Sequence, residues 1–488
     1  MNIVDPILFQ CRHHPPGAAI CAPGTGIGLI SYGRLAQFIH NITRNLRALG
    51  LAPGSIVAVY VLDPIFHVAI TLALTRLGIV TLSGRQRKFP AELKIDASIA
   101  DEPLPFLPSD RVVIADQNWI NGDGQPIDDQ GLPKTAATDI CRIVLTSGTT
   151  GDAKAVALTH KMLMERNYRH HMIYGPRFHR SSRIYSDLGL STSLGFLFLI
   201  DTLARGGLYF HHGDSFENTL AAFDRYKVQC WLISPSGLAT MLRNYEHVGL
   251  YQSSLKLIIS GGAQVSRTLS DDVRARICSH HVKSYGSTET SVVATAPDHA
   301  INHIDGAVGY PLPGTTVQIV GRDGQPLKPG EEGVVRIRSP FSVEGYFADH
   351  DQSGSVFRDG WFYPGDFGAI TPDNVLLITG RQKSVLSVGG EKFNPETIEA
   401  AIGTFPDIEQ AAVFGSPDEF GVDQVVAFVV ARSRIDKQHL LAHCRDYIPH
   451  LAVPADFIVV ESIPHNAMGK IDRARLPDLS KTVQLPRN

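Results

Sequence analysis

The densest run of chemistry-bearing residues is Leu145-Thr146-Ser147-Gly148-Thr149-Thr150-Gly151-Asp152-Ala153-Lys154. An apolar run of buried-strand length, residues 140–145, leads directly into hydroxyl side chains, two glycines and a lysine. Backbone N–H groups opened by glycine, hydroxyl donors and one cation are together what a triphosphate needs. The spacing is not the Gly-x4-Gly-Lys-Ser/Thr of a Walker-type loop. Any four of these residues alone would read as a solvated Ser/Thr/Gly turn; the whole string points to phosphate.

Residues 146–154 resemble the phosphate loop of the adenylate-forming superfamily, which holds acyl-CoA synthetases, luciferases and nonribosomal-peptide adenylation domains. Further motifs of that family recur in chain order. Tyr285-Gly286-Ser287-Thr288-Glu289 resembles its adenine and magnesium segment, and Trp361-Phe362-Tyr363-Pro364-Gly365-Asp366 its ribose segment. Gly380-Arg381, Gly389-Gly390-Glu391-Lys392 and Pro395-Glu396 resemble the hinge and the loop after it. Pro464-His465-Asn466-Ala467-Met468-Gly469-Lys470-Ile471-Asp472-Arg473 resembles the C-terminal catalytic-lysine motif.

The resemblance implies a role for each matched residue. Thr146, Ser147, Gly148, Thr149, Thr150, Gly151 and Lys154 would hold the phosphates of ATP. Glu289 would supply a hard oxygen to Mg2+, which keeps waters and takes only one or two carboxylates; Thr146 would be its second donor. Unliganded, Glu289 would be an ordinary surface glutamate. Tyr285 would stack on adenine, its plain alternative being a core tyrosine, and Gly286, Ser287 and Thr288 would line the same site. Ser260-Gly261-Gly262-Ala263 resembles the loop whose backbone edges the adenine. Asp366, acceptor-only, would take both ribose hydroxyls, and Arg381 would donate to the same sugar.

Lys470 matters most for mechanism. Attack of a carboxylate on the α-phosphate builds charge on bridging oxygens, which a positioned ammonium stabilises, and Gly469 lets its loop approach closely. The family swaps this lysine for a thioester-forming surface by rotating its small C-terminal domain. Lys383 matches the hinge, and Gly389 and Gly390 would border the tunnel for the pantetheine arm of CoA.

Some positions depart from the pattern. Ala153 and Ala155 stand for the usual Pro and Gly, Pro364 for Thr, and Ser387 for a frequent Lys. The aromatic or His gate of the acyl pocket falls within residues 185–195, where Ser191-Thr192-Ser193 stands. Ser191 and Ser193 are the candidate pocket residues, and Asp187 lies close by for an amine-bearing substrate.

The elements needed to hold these residues can be read from periodicity. Apolar residues at 35, 38, 39, 42, 46 and 49 mark a helix capped by Ser31. A strand at 55–62, a helix at 66–77 and strands at 140–145, 229–233 and 255–259 continue an α/β alternation, which expects ligand sites in loops at strand ends. Residues 119–138 read as a long surface loop, and 308–378 as small strands and hairpins. The last segment has helices at 395–402 and 437–447 and strands at 410–414, 425–430 and 457–460. The expectation is an α/β body with mixed sheets and a small β-subdomain, residues 1–380. A mobile α+β domain, residues 381–488, would carry Lys470.

The chain has 488 residues, a net charge of −3, 43% hydrophobic and 19% charged residues. Near-neutral charge argues against a general nucleic-acid binder, and the hydrophobicity against disorder. The most apolar stretch, 195–210, is too short and too interrupted to span a membrane. Six cysteines at 11, 21, 141, 230, 278 and 444 include no Cys-x-x-Cys pair, which excludes a disulfide framework. With no signal peptide evident, a cytoplasmic protein is expected. The His-His pairs at 13/14, 170/171, 211/212 and 280/281 lack metal-ligand spacing. Arg166, Arg169, Arg177, Arg180 and Arg183 read as a solvated basic face, with CoA phosphates as an alternative partner.

The leading functional expectation is an acid–thiol ligase using ATP, Mg2+ and CoA: a small carboxylic acid becomes acyl-AMP, then an acyl thioester. A second expectation passes the acyl or amino-acyl group to the phosphopantetheine of a free acyl carrier protein. A third, from another class, is a nucleotide-binding protein that keeps the fold without catalysis.

Overall fold

A computed structural model describes residues 1–84, 89–90, 92–122, 131–146, 154–174, 182–211, 216–245, 254–262, 265–321, 323–349, 353–354, 356–381, 386–388, 391–393, 395–417, 423–448, 452–466 and 469–482. The helix expected from the 35–49 periodicity spans Tyr32–Ala48, and the Ser31 side chain accepts from the Arg34 N–H at its start. The next helix, Pro64–Arg76, begins with proline at its first position, behind an Asp63 cap that accepts from the N–H of Ile65 and Phe66. Every residue of this helix is buried. Such a helix must lie between layers rather than on a surface.

The first sheet runs in the order Val112–Ile114, Ala97–Ala100, Ile56–Tyr60, Val80–Ser83, Ile140–Thr146, Lys154–Thr159. Its strands are parallel except for the closing hairpin. The second sheet has a parallel centre of His281–Ser287, Leu257–Gly261, Cys230–Ile233, Arg183–Ser186, Leu208–His211 and Ala18–Cys21. One apolar cluster joins Val57 and Val59 of the first sheet to Ile184, Leu232 and Ile259 of the second. Between them lie Ile70 and Leu74 of the buried helix and Phe198 and Leu199 of helix Ser193–Ala204. The helices are the filling between two sheets.

The region 308–378 was expected as hairpins of a small β-subdomain. Its strands, from Ala307–Pro311 to Leu376–Arg381, are antiparallel hairpins as expected. They also extend the second sheet, because Ala294 and Thr295 pair with Pro311 and Tyr310.

Beyond residue 385 a three-stranded sheet forms from Ile408–Pro417, Asp423–Ala431 and Asp456–Val459. Helices Pro395–Gly403 and Lys437–Tyr447 contribute Ile398, Ile402, Leu440 and Cys444 to one face, against Val413 and Val429. The other face buries Ala412, Phe414, Phe428, Ile458, Ile463 and Leu476, with the two phenylalanine rings stacked at 5.2 Å. Both faces therefore draw their cores from this unit's own residues. Among the described residues, no helix is long and apolar enough to cross a membrane.

Candidate active site

The expected phosphate loop is flanked by the antiparallel pair of strands Ile140–Thr146 and Lys154–Thr159. Thr146 pairs with Lys154 in register, and its Oγ1 donates to the Lys154 carbonyl at 3.5 Å. The two ends of the loop are thus locked together. Ser147, Gly148, Thr149, Thr150 and Gly151 lie outside the described residues. Lys154 is only 9% exposed, with Nζ 4.5 Å from the centre of the Tyr346 ring.

Glu289 sits in the turn between antiparallel strands His281–Ser287 and Ser291–Pro297. It is not the surface glutamate of the plain alternative: it is 7% exposed, and its Oε1 accepts from Tyr346 Oη at 3.0 Å. The turn is tight. A Cβ on Gly286 would lie 2.1 Å from the Ser291 carbonyl oxygen, and Ser291 takes a φ of 61°. Ser287 Oγ lies 3.2 Å from Thr290 Oγ1, and Thr288 gives its carbonyl to Arg166.

Arg166, on helix His160–Tyr174, organises the main chain beneath Glu289. Its guanidinium donates to the carbonyls of Thr288 at 3.0 Å, Glu289 at 3.1 Å and Phe341 at 2.7 Å. Burial pushes its pKa down to about 10, the Glu289 charge pulling the other way. Arg169 donates to Thr315 Oγ1 at 2.6 Å and lies over the Phe341 ring. These two arginines are therefore buried braces, which overturns both the solvated-face and the CoA-phosphate readings for them. Arg183 lies in a strand of the second sheet, and Arg177 and Arg180 fall outside the described residues.

Tyr285, Gly286 and Ser287 lie within strand His281–Ser287. Tyr285 Oη donates to Asp366 Oδ2 at 2.5 Å, and Asp366 is 2% exposed. Asp366 in turn pairs through the backbone with Arg381 on the adjacent strand. Gly261 pairs with Ser284, where a Cβ would meet the Ser284 carbonyl oxygen at 2.9 Å; Gly262 has φ +90°. Ala263 is outside the described residues. The adenine and ribose candidates Gly261, Gly262, Tyr285, Asp366 and Arg381 are thus brought to one end of the second sheet.

Ser191 and Ser193 flank Thr192, whose hydroxyl caps helix Ser193–Ala204 by accepting from Gly195 N–H at 3.0 Å. Just before them, the Leu190 carbonyl accepts from the buried Arg142 at 2.7 Å. Asp187 accepts from the Trp231 indole at 2.7 Å, and burial pushes its carboxyl up to about 6. One oxygen of its half-buried carboxylate is thus held by the core tryptophan.

Lys470 is carried by a closed loop of the C-terminal unit. His465 bridges to Ile471, Asn466 N–H donates to the Lys470 carbonyl at 2.8 Å, and Asn466 Oδ1 accepts from the Lys470 N–H at 3.1 Å. Gly469 turns the loop at φ +73°. Arg473 anchors it by a two-pronged pair with Glu399 at 2.6 and 2.8 Å and a bond to the Val413 carbonyl. His465 and Glu461 line a cleft of about 130 Å³ opposite Thr240 of the body. Lys383, Gly389 and Gly390 lie outside the described residues.

Sequence reasoning missed Tyr346 and the part played by Arg166. For Arg166 a signal exists: Leu163, Arg166, His170 and Tyr174 recur at helical spacing and are all buried. The hard-oxygen donors Glu289 and Thr146 fit a cation that takes its other ligands from phosphates and water, as Mg2+ does. Among the described residues there is no group of three or more His, Cys, Asp or Glu side chains that could hold a metal ion by themselves.

The AMP-binding enzyme family model matches residues 9–347, and that of the AMP-binding enzyme C-terminal domain matches residues 397–470. An indoleacetate–CoA ligase of Aromatoleum aromaticum is 28% identical over 480 residues, covering 91% of each chain. A long-chain-fatty-acid–CoA ligase of Yersinia pestis is 28% identical over 354 residues, which span 71% of this chain and 62% of that protein. The solved anthranilate CoA ligase AuaEII, in complex with anthranoyl-AMP, superposes with a TM-score of 0.86 at 21% identity, over 98% of this chain and 97% of that one.

Proposed function

This chain belongs to the AMP-binding enzyme family, and from that premise we propose that it is an ATP-dependent carboxylic acid–CoA ligase. The observation that carries the reading is the convergence of Lys154, Tyr346 and Glu289 at the phosphate-loop hairpin. The relatives named as CoA ligases support the acceptor.

In the first half-reaction an oxygen of the substrate carboxylate bonds to the α-phosphorus of ATP as the bond to pyrophosphate breaks. Lys470 stabilises charge on the bridging oxygens, and Lys154 with the loop 147–151 holds the phosphates. Glu289 and Thr146 would hold Mg2+, which supplies charge neutralisation on the phosphates when bound. Tyr285, Gly261 and Gly262 hold the base; Asp366, fixed by the Tyr285 hydroxyl, takes the ribose with Arg381. In the second half-reaction the CoA thiolate attacks the acyl carbonyl and AMP leaves. The body, 1–380, and a turning unit, 381–488, divide the labour, with Lys383 as hinge and Gly389-Gly390 beside the pantetheine arm. Ser191 and Ser193 line the acid pocket. A cytoplasmic setting belongs to this reading, supported by six buried cysteines without disulfides.

The test is pyrophosphate–ATP exchange across a panel of carboxylic acids, followed by thioester formation with CoA and with a phosphopantetheinylated carrier. Exchange that depends on one acid, and falls at least about 100-fold in Lys470→Ala, is expected. Full acid-dependent exchange in Lys470→Ala removes the lysine from the first step. Nucleotide binding without exchange for any acid favours the non-catalytic alternative.

A further inference from the structure

Residues 343–347 form a short strap between the two sheets. At one end Val343 N–H donates to the Glu289 carbonyl at 2.8 Å; at the other Phe347 N–H donates to the Ala155 carbonyl at 2.7 Å. One end is therefore bonded to the proposed metal carboxylate's own residue, and the other to the residue after the phosphate-loop lysine. Tyr346 sits inside this strap, and its two chemistries point to both neighbours. The hydroxyl donates to Glu289 Oε1 at 3.0 Å, while the ring face carries Lys154 Nζ at 4.5 Å. The ring is itself fixed, packed edge-on against Phe357 at 5.5 Å, and Tyr346 N–H donates to Ser353 Oγ at 2.8 Å.

We propose that Tyr346 is a positioning residue that sets the Glu289 carboxylate for the divalent cation through its hydroxyl, and seats the Lys154 ammonium through its ring. The inference rests on the reading of Glu289 as a metal donor. A carboxylate held by one oxygen loses less rotational freedom when a cation arrives, and groups that orient a ligand tune its affinity. The cation–π contact is the separate role of the ring.

The two roles separate by substitution. Tyr346→Phe keeps the ring and removes the hydroxyl; Tyr346→Leu removes both. The measurement is Mn2+ binding, read by electron paramagnetic resonance, to the full chain saturated with α,β-methylene-ATP, together with nucleotide affinity without metal. In Tyr346→Phe, Mn2+ affinity is expected to fall about 10-fold or more, while metal-free nucleotide affinity stays within about twofold. Tyr346→Leu weakens both. In a Glu289→Gln background the Phe substitution adds nothing, since the hydroxyl then has no carboxylate to hold. Mn2+ affinity within about twofold of wild type in Tyr346→Phe overturns the proposal, as does an equal effect of that variant with and without Glu289. Acid-dependent exchange by the wild type judges the ligase reading separately, because the metal titration needs no turnover.

Discussion

Asp366 is buried and Asp187 half-buried, and the chain uses them differently. Asp366 takes the Tyr285 phenol at one oxygen, so the residue assigned to the base orients the residue assigned to the sugar. Asp187 gives its carboxylate to an indole in the core, and burial lifts it from 3.8 to about 6. The folded state thus binds this proton more tightly than the unfolded chain does, so the group's contribution to stability grows as pH falls from about 6 towards 3.8. Above pH 6 the full cost of the buried charge is present. Asp187→Asn, which keeps an acceptor for Trp231, is therefore expected to melt at or above wild type at pH 7.5, the advantage shrinking as pH approaches 4. A gap in melting temperature that widens on acidification contradicts this. At this scale the sequence was legible where residues sit together in one string, as at 146–154 or 285–289. It was silent on Tyr346, whose hydroxyl meets Glu289 57 positions away, and on the partners that Arg166 reaches across 123 positions, although the helical spacing that buries Arg166 was there to read. Such contacts have no period for a pattern to expose.

The hairpin that presents Glu289 depends on the absence of a side chain. Gly286 stands against the Ser291 carbonyl, and the pairing register shifts at Tyr285 and Gly286 to accommodate the turn. Gly286→Ala must push the two strands apart at the point that aims the carboxylate. A cost of about 1–3 kcal/mol in chemical denaturation is expected, together with weaker Mg·ATP binding. Unchanged stability would show that the turn relaxes freely. Elements with a clear apolar period were readable: helix Tyr32–Ala48 with its Ser31 cap, and the strands of the C-terminal sheet, lie where the pattern puts them. Short strands such as Ala97–Ala100 and Val112–Ile114 carry too few residues for a period to show. Helix His160–Tyr174 escaped because its buried residues include two arginines and two histidines where the pattern expects leucines.

The proposed division of the chain near residue 380 is supported by its separate cores. Ile259 belongs to the cluster between the two large sheets, whereas Ile402 belongs to the C-terminal unit, and both are fully buried. If the cores are independent, Ile→Ala at either site costs about 2–5 kcal/mol locally and shifts a different transition in calorimetry. A single transition moved equally by both variants would refute the two-unit division. The change of texture near residue 380 was visible in sequence because Gly- and Pro-rich hairpins give way to a fresh helix–strand rhythm. The continuity of residues 307–381 with the large sheet was not, since it depends on backbone pairing between Thr295 and Tyr310.

The Lys470 loop is closed on itself by Asn466 and pinned downstream by Arg473 to Glu399. A side chain mounted this way cannot search for its target independently of the sheet that bears it. On the proposed role of Lys470, its effective concentration at the α-phosphate would be set by the fraction of time the whole unit spends docked, and linker geometry would govern that fraction. Rate control would lie in rigid-body occupancy. A substitution on the docking face, far from any reacting atom, could therefore scale the first half-reaction as strongly as one beside the lysine.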